Sequence, residues 1–273
     1  MASSQPPAST YTQGHSASAI ASHTSRTVYN SAAFLLPHIK PNFTIIDLGC
    51  GPGTITCGFS SLVPEGSVIG VDGSSTIIEQ ARRRAVDLGS RNLNFLVADI
   101  THPLPFENDS VDVIYIHQTL CHIPSPVPVV QEAWRVLKPG GLIAMREYDH
   151  MSWYPRFPGV DAYTAGLNRS ISASGAQGAE SGRRLHAWAA QAGFSKAKMQ
   201  VSAGTTCHVA AEAKWWAEVS IGRLEGEIGS NWLNSGTVKS QDDIEIMKRD
   251  LRLWGENEEA WYTALQGEVL AWK

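Results

Sequence analysis

The sequence predicts an α/β fold built on a parallel sheet, and three observations carry that prediction. Short apolar runs alternate with helical stretches up to about residue 148. These runs lack the polar alternation of half-buried strands, as expected for a sheet covered on both faces. Three of them close on an acid beside a loop, at Asp47, Asp72 and Asp99. Strands and helices in this rhythm place helices on both faces of parallel strands.

The elements follow in order. Residues 1 to about 10 are rich in Ser, Pro and Ala and read as unstructured. From His23 the pattern turns helical, with Val28, Ala32, Leu35 and Leu36 on one face and Pro37 and Pro41 ending the run. "FTIIDLG" (43–49) reads as a buried strand, and a helix follows from about Thr54 to Leu62. "SVIGVD" (67–72) is a second strand. Thr76 and Glu79 have capping-box spacing, and Ile77, Ala81, Ala85 and Leu88 form the stripe of the next helix. "LNFLVAD" (93–99) and "VDVIYIH" (111–117) are strands three and four. Val127, Val130, Trp134 and Leu137 mark an amphipathic helix. "KPGG" (138–141) reads as a turn and "LIAMREY" (142–148) as strand five. After Tyr148 the rhythm breaks, and residues 149–182 mix Pro, Gly, Ser and aromatics. Residues 183–192 look helical, "AKMQVSAGTTCHVA" looks extended, and "LQGEVLAWK" reads as a final strand. Residues 210–260 look like a helical cap interrupting the sheet. With Trp261 at its edge, this stretch holds five of the nine tryptophans.

Composition narrows the function classes. The 273 residues suffice for one large α/β unit with a cap. The formal net charge is −4, which provides no electrostatic drive toward nucleic acid or an anionic membrane. No apolar run reaches the ~18–20 residues of a membrane span. "MASSQPPAST" lacks the apolar core of a secretory leader, so a cytoplasmic location is expected. Cys50, Cys57, Cys121 and Cys207 are scattered without C-x-x-C, which argues against a disulfide framework or a zinc site. No metal is expected, and a monomer is the default expectation.

The glycine-rich loop "GCGPG" (49–53) carries the chemistry. A dinucleotide site wants G-x-G-x-x-G, and the third glycine position is Thr54 here. Asp47, just before the loop, would repel a pyrophosphate and suits an amine or sulfonium, although it could equally cap the next helix. A carboxylate at Asp72 can accept from both hydroxyls of a ribose, and one at Asp99 from an adenine amine. Three acids at the carboxyl ends of parallel strands would line one crevice, an adenosine pocket without a phosphate site.

At these residues the chain resembles the class I S-adenosylmethionine-dependent methyltransferases, and within them the UbiE-type small-molecule branch. "IIDLGCGPGT", "VIGVD", "FLVADITHPLPFENDSVDVIYIHQTLCHI" and "RVLKPGG" carry the likeness over about residues 20–148. "TSRTVYNSAAFLLPHIKP", "MSWYPRFPG" and "GEVLAWK" resemble a subgroup common in fungi and actinobacteria, some of whose fungal members methylate secondary metabolites, including the thiols of reduced gliotoxin. The resemblance implies a Rossmann-like seven-stranded sheet, mostly parallel with an antiparallel last strand, and S-adenosylmethionine as cofactor. The expected organisation is an N-terminal segment (1–22) that covers the site, a core (23–209), the cap (210–260) and the final strand (261–273).

The resemblance also implies site roles. Gly49, Cys50 and Gly51 would approach the methionine moiety, and Asp47 its amine. Asp72, with Gly73 and Ser74, would hold the ribose, and Asp99 with the Ile100 backbone the adenine. His117 would contact the methionine moiety, Arg26 its carboxylate, and Tyr29 the same site. His122 and His117 are the candidate bases, since histidine can take a proton near neutral pH. Cys121 beside His122 resembles a nucleophile pair, yet no oxyanion donor is identifiable. Tyr11, His15, His122, Arg146, Trp153 and Tyr154 are the candidate substrate contacts, with packing in the core as the plain alternative for the aromatic ones. The implied reaction is methyl transfer to a heteroatom of a small, largely apolar metabolite, releasing S-adenosylhomocysteine. A thiol needs least help to ionise. The rival readings are a protein that binds S-adenosylmethionine without methylating, such as a cyclase or regulator, and a nicotinamide oxidoreductase.

Overall fold

The computed structural model describes residues 25–273. Among them seven strands form one sheet: β1 (Thr44–Leu48), β2 (Ser67–Asp72), β3 (Leu93–Val97), β4 (Val111–His117), β5 (Leu137–Tyr154), β6 (Met199–Val209) and β7 (Trp261–Trp272). Their spatial order is β3-β2-β1-β4-β5-β7-β6. The first five are mutually parallel, and β7 runs antiparallel to both β5 and β6. The order reverses between β1 and β4, so a crevice opens at their carboxyl ends.

Continuous apolar sequence is what a two-sided burial demands. Neighbours in β1 point to opposite faces, and both are fully buried: Ile45 packs in one core cluster and Ile46 in the other. The first face is covered by α1 (Val28–Ser31), α2 (Thr54–Leu62) and α3 (Ser75–Asp87), which contribute Val28, Phe59 and Ile78. The second is covered by α4 (Pro126–Val136), which contributes Val130 and Ala133. After β5 and α5 (Pro158–Ala173), α6 (Leu185–Gln191) adds Leu185 and Trp188 to that second face. Each such aliphatic side chain removed from water stabilises the fold by ~1.5–3 kcal/mol.

Between β6 and β7 run α7 (Ala210–Glu225), α8 (Glu227–Asn234) and α9 (Gln241–Gly255). With α5 they enclose a third, aromatic-rich cluster that includes Trp153, Tyr163, Trp216, Trp232, Trp254 and Tyr262. The Trp153 ring meets Trp254 edge-on at 4.7 Å and Tyr262 at 4.6 Å.

Four details depart from the sequence expectation. The helix expected from His23 is only the turn α1 plus a 3-10 turn at Leu36–His38, because the chain breaks at Ala32 (φ −126°); residues 23 and 24 lie outside the described part. The N-cap of α3 is Ser74, whose hydroxyl accepts from the Ile77 N–H, so the capping box at Thr76 is not used. "KPGG" is an excursion inside one long strand, since Val111 pairs with Leu137 and Val113 with Leu142. Finally, β5 does not stop at Tyr148: residues 150–154 pair with 261–265 of β7, and α5 follows. The polar and aromatic mix there hid a strand that leaves the parallel core and pairs on the β7 side.

Trp254 is fully buried and its indole N–H donates to the Tyr154 carbonyl at 2.8 Å. Trp254→Ala should therefore cost ~3–5 kcal/mol in urea unfolding, and Trp254→Phe markedly less.

Candidate functional site

The crevice is built on the glycine loop after β1. Gly49 (φ 76°), Gly51 (φ 53°) and Gly53 (φ 77°) all take left-handed backbone conformations. A Cβ on Gly49 would fall 2.3 Å from Thr119 Oγ1, so the loop and the segment after β4 touch through the missing side chain. At Gly51 a Cβ would meet nothing within 4 Å, so this backbone faces open space. The Gly49 and Cys50 N–H groups donate to the Val71 carbonyl at 2.8 and 3.0 Å.

Asp72, half-buried at the end of β2, takes two backbone donors: Gly51 N–H on Oδ2 and Ser74 N–H on Oδ1, both at 3.0 Å. Its carboxylate is thus oriented while each oxygen keeps acceptor capacity. Asp99 lies two residues beyond β3 and is exposed. Burial opposes its ionisation, yet the bonds from Thr101, with His102 beside it, hold its carboxyl below the usual range. Ile100 is buried and Gly73 exposed. An oriented carboxylate beside an open glycine backbone, with a second acid on the next strand, suits a hydroxyl-bearing nucleoside.

Asp47 is 3% exposed, and its Oδ2 accepts from the Thr56 hydroxyl at 2.6 Å. Burial pushes its pKa up to about 7, against the Thr56 bond. It therefore braces the loop from beneath. Cys50 is buried as well, and burial pushes its thiol up.

The other wall comes from the segment after β4, where Gln118 has a φ of 49°. The His117 ring stacks on Tyr115 at 6.1 Å, and its carbonyl accepts from the Thr119 hydroxyl at 3.1 Å. Glu147 in β5 fixes this segment. Its side chain is fully buried, and Oε1 accepts from the Thr119 and Leu120 N–H groups, both at 2.7 Å. Oε2 has no hydrogen-bond partner, and burial raises the Glu147 pKa to about 7. Burial, then the nearby Arg26, push the His122 pKa down to about 4.

Beside this segment opens a cavity. Its described lining includes Arg26, Gln118, His122, Trp153, Tyr163 and Trp216. The Arg26 guanidinium donates to the Gln118 side-chain oxygen. Of the expected substrate contacts, His122 and Trp153 are here. Arg146 is not: it is buried beneath, donating to the Gln266 side chain and to the Asn30 carbonyl at 2.9 Å, with Glu268 3.5 Å away. Tyr154 is 53% exposed and outside the lining, because alternation along β5 turns it away from Trp153. Tyr29 is 66% exposed. Tyr11 and His15 lie outside the described residues. Sequence reasoning missed Gln118, Tyr163, Asn168 and Arg223. The tryptophan-rich stretch 210–260 was the signal for Trp216 and Arg223, whereas nothing marked α5.

Among the described residues no group of three or more His, Cys, Asp or Glu side chains could hold a metal ion, and no helix is long and apolar enough to cross a membrane.

Comparison with known proteins agrees with this geometry. The family described as a methyltransferase domain matches residues 39–193. A probable methyltransferase, ltbC, of Aspergillus luteorubrus is 33% identical over 278 residues, 96% of this chain and 97% of its own. The uncharacterized methyltransferase C1B3.06c of Schizosaccharomyces pombe is 32% identical over 91% of each chain. The crystal structure of a putative methyltransferase from Bacillus halodurans shares the fold, with a TM-score of 0.59 at 18% identity over 88% of this chain and 97% of that one.

Two buried carboxyls with pKa values raised to about 7 give a signed expectation. Both bind their proton more tightly folded than unfolded, so their contribution is complete below about pH 4 and is lost as pH rises through 7. Glu147→Gln, which keeps an acceptor for Thr119 and Leu120, should flatten the decline in melting temperature between pH 5 and 8. A decline as steep as in the parent would contradict the assignment.

Proposed function

The chain belongs to the S-adenosylmethionine-dependent methyltransferases, and from that premise we propose that it methylates a heteroatom, sulfur or oxygen, of a small, largely apolar metabolite. The observation that carries this reading is the shared wall. The Gln118–His122 segment touches the glycine loop through Thr119 and lines the aromatic cavity through Gln118 and His122. A donor bound on the loop and an acceptor held in the cavity would be neighbours.

In this reading Asp72, with Gly73 and Ser74, binds the ribose, and Asp99 with the Ile100 backbone binds the adenine. Gly49, Cys50 and Gly51 let the chain approach the methionine moiety, together with His117. Arg26 faces its carboxylate, Tyr29 lies at the rim, and Asp47 acts through the loop it braces. When bound, S-adenosylmethionine supplies a methyl group on a sulfonium that is its own leaving group. The protein then mainly orients the acceptor and excludes water.

His122 is the candidate proton acceptor. With a pKa of about 4 it is a weak base, suited to an acceptor that ionises near neutral pH. A thiol (~8.5) comes nearest to that condition, whereas a phenol (~10) needs more help to ionise and an alcohol much more. A reduced dithiol of the gliotoxin type belongs to this range.

Incubation with S-adenosylmethionine and a metabolite library, read by a methyl mass shift, tests the activity. Binding of the cofactor with no methylated product from any acceptor would favour a non-methylating role. Asp72→Ala should weaken S-adenosylhomocysteine binding at least ~10-fold by calorimetry, since a charged acceptor is worth ~1.5–3 kcal/mol. Unchanged affinity would sink the ribose assignment. His122→Ala should cost turnover less than ~10-fold, short of the ~10²–10⁴ that loss of an essential general base brings. A loss in that higher range would make His122 the base on which the reaction depends.

A further inference from the structure

Arg26, which would face the carboxylate of the methionine moiety, stands at the entry of a helix too short to hold its own place. α1 has four residues, far below the ~12–15 at which an isolated helix becomes even marginal. Its position must come from its surroundings, and three attachments supply it.

The first is local. Thr27 and Asn30 form a reciprocal capping box, and the Asn30 side-chain amide also donates to the Ser25 carbonyl at 3.1 Å. The backbone on either side of Arg26 is thereby tied to α1. The second is apolar. Val28 is buried and fills the hollow over Gly58 of α2, where a Cβ would fall 2.8 Å from its own. The third comes from the sheet beneath. The chain leaves the helix at Ala32, so no further turn meets the Asn30 and Ser31 carbonyls. Two side chains of the sheet meet them instead. The Arg146 guanidinium donates to the Asn30 carbonyl at 2.9 Å, and the Tyr115 hydroxyl to the Ser31 carbonyl at 2.7 Å.

Arg146 also reaches the partner of Arg26. Its own carbonyl accepts from the Gln118 N–H at 2.9 Å, and the Gln118 side chain accepts from Arg26. One residue of β5 thus spaces both members of the Arg26–Gln118 pair, α1 through its side chain and Gln118 through its backbone. Its guanidinium is held in turn: it donates to Gln266, and Glu268 lies 3.5 Å away. A buried guanidinium is stable only with such partners, and its planar fork then fixes direction.

Resting on the assignment of Arg26 to the cofactor carboxylate, we propose that Tyr115 and Arg146 are positioning residues for the methyl donor. At 0% and 3% exposed, both lie too deep to touch it. They hold the last two carbonyls of α1, and α1 holds Arg26 where it can grip the amino-acid end of the donor. The adenosine end would rest on Asp72 and Asp99, which belong to other strands. Loosening α1 therefore weakens the grip on one end of the donor and spares the other.

The test compares S-adenosylhomocysteine with 5′-methylthioadenosine, which keeps the adenosine and the thioether but lacks the amino-acid end. Both are titrated into the full chain by calorimetry. Arg26→Ala should weaken S-adenosylhomocysteine about 10-fold and leave methylthioadenosine within about twofold. Tyr115→Phe keeps the ring stacked on His117 and removes one hydroxyl. Arg146→Lys keeps a charge beside Glu268 and removes the fork. Each should weaken S-adenosylhomocysteine about fivefold and methylthioadenosine less than about twofold. Neither should add a further loss once Arg26 is replaced by alanine, since the three residues act through one contact. A role in stability alone would lower the melting temperature and move both ligands together or neither. Tyr115→Phe decides alone should Arg146→Lys not fold. Unchanged S-adenosylhomocysteine affinity in the positioning variants, an equal loss for both ligands, or a loss that persists in full beside Arg26→Ala would overturn the inference and leave Arg26 assigned. Arg26→Ala without a selective loss would overturn the carboxylate assignment, and the inference with it.

Discussion

The contact between Thr119 and Gly49 is the constraint around which the site is assembled. Thr119 lies where a side chain on residue 49 would be, so the loop after β1 and the segment after β4 share one volume. Its N–H is taken by Glu147 of β5 and its hydroxyl by the His117 carbonyl. Three adjacent strand ends are thereby fixed to one another by a single small residue. The parallel sheet brings these ends together, but this interlock sets their relative heights. The loop that would carry the methyl donor and the wall that would face the acceptor are consequently held in contact.

Carboxylates serve this region first as anchors for backbone N–H groups. Asp72 reaches across to Gly51 and also holds Ser74 two residues on, while Glu147 reaches from β5 to Thr119 and Leu120. Backbone groups at strand ends have lost their ladder partners, and an acid replaces them with charge-assisted bonds. Asp72 remains half-buried and can also meet a ligand, whereas Glu147 is sealed and holds structure alone. The same residue type at the same end of the sheet thus does different work according to its exposure.

Much of the half that would hold the methyl donor was legible in the sequence, because local rules decide its fold. Apolar runs of strand length, a glycine spacing that departs from the dinucleotide pattern, and acids at strand ends all act within a few residues. The half that would hold the acceptor was less legible. Trp153 and Tyr154 look alike as neighbours, but the pleat sends one into the cavity and the other to solvent. Arg146, expected at the substrate, is buried under the crevice, and its neighbour Glu147 is buried behind the crevice wall. Tyr163 and Asn168 come from a helix with no strong apolar stripe, and only packing against α8 and α9 gives them meaning. Gln118 was passed over because its role depends on a left-handed backbone turn that no local composition announces.

The register of the last two strands shows how the cap joins the sheet. Val209, the last residue of β6, is paired with Trp261, the first of β7. The three helices between them therefore leave and rejoin the sheet on the same rung of an antiparallel ladder. A two-residue hairpin could close that rung, and so can fifty residues, since the span to be bridged is the same. Entropy adds only slowly with the length of the excursion. The three helices are in this sense an insertion at one rung of a continuous ladder, tied back to β5 by the Trp254 bond to the Tyr154 carbonyl and to α5 by Trp232 against Tyr163.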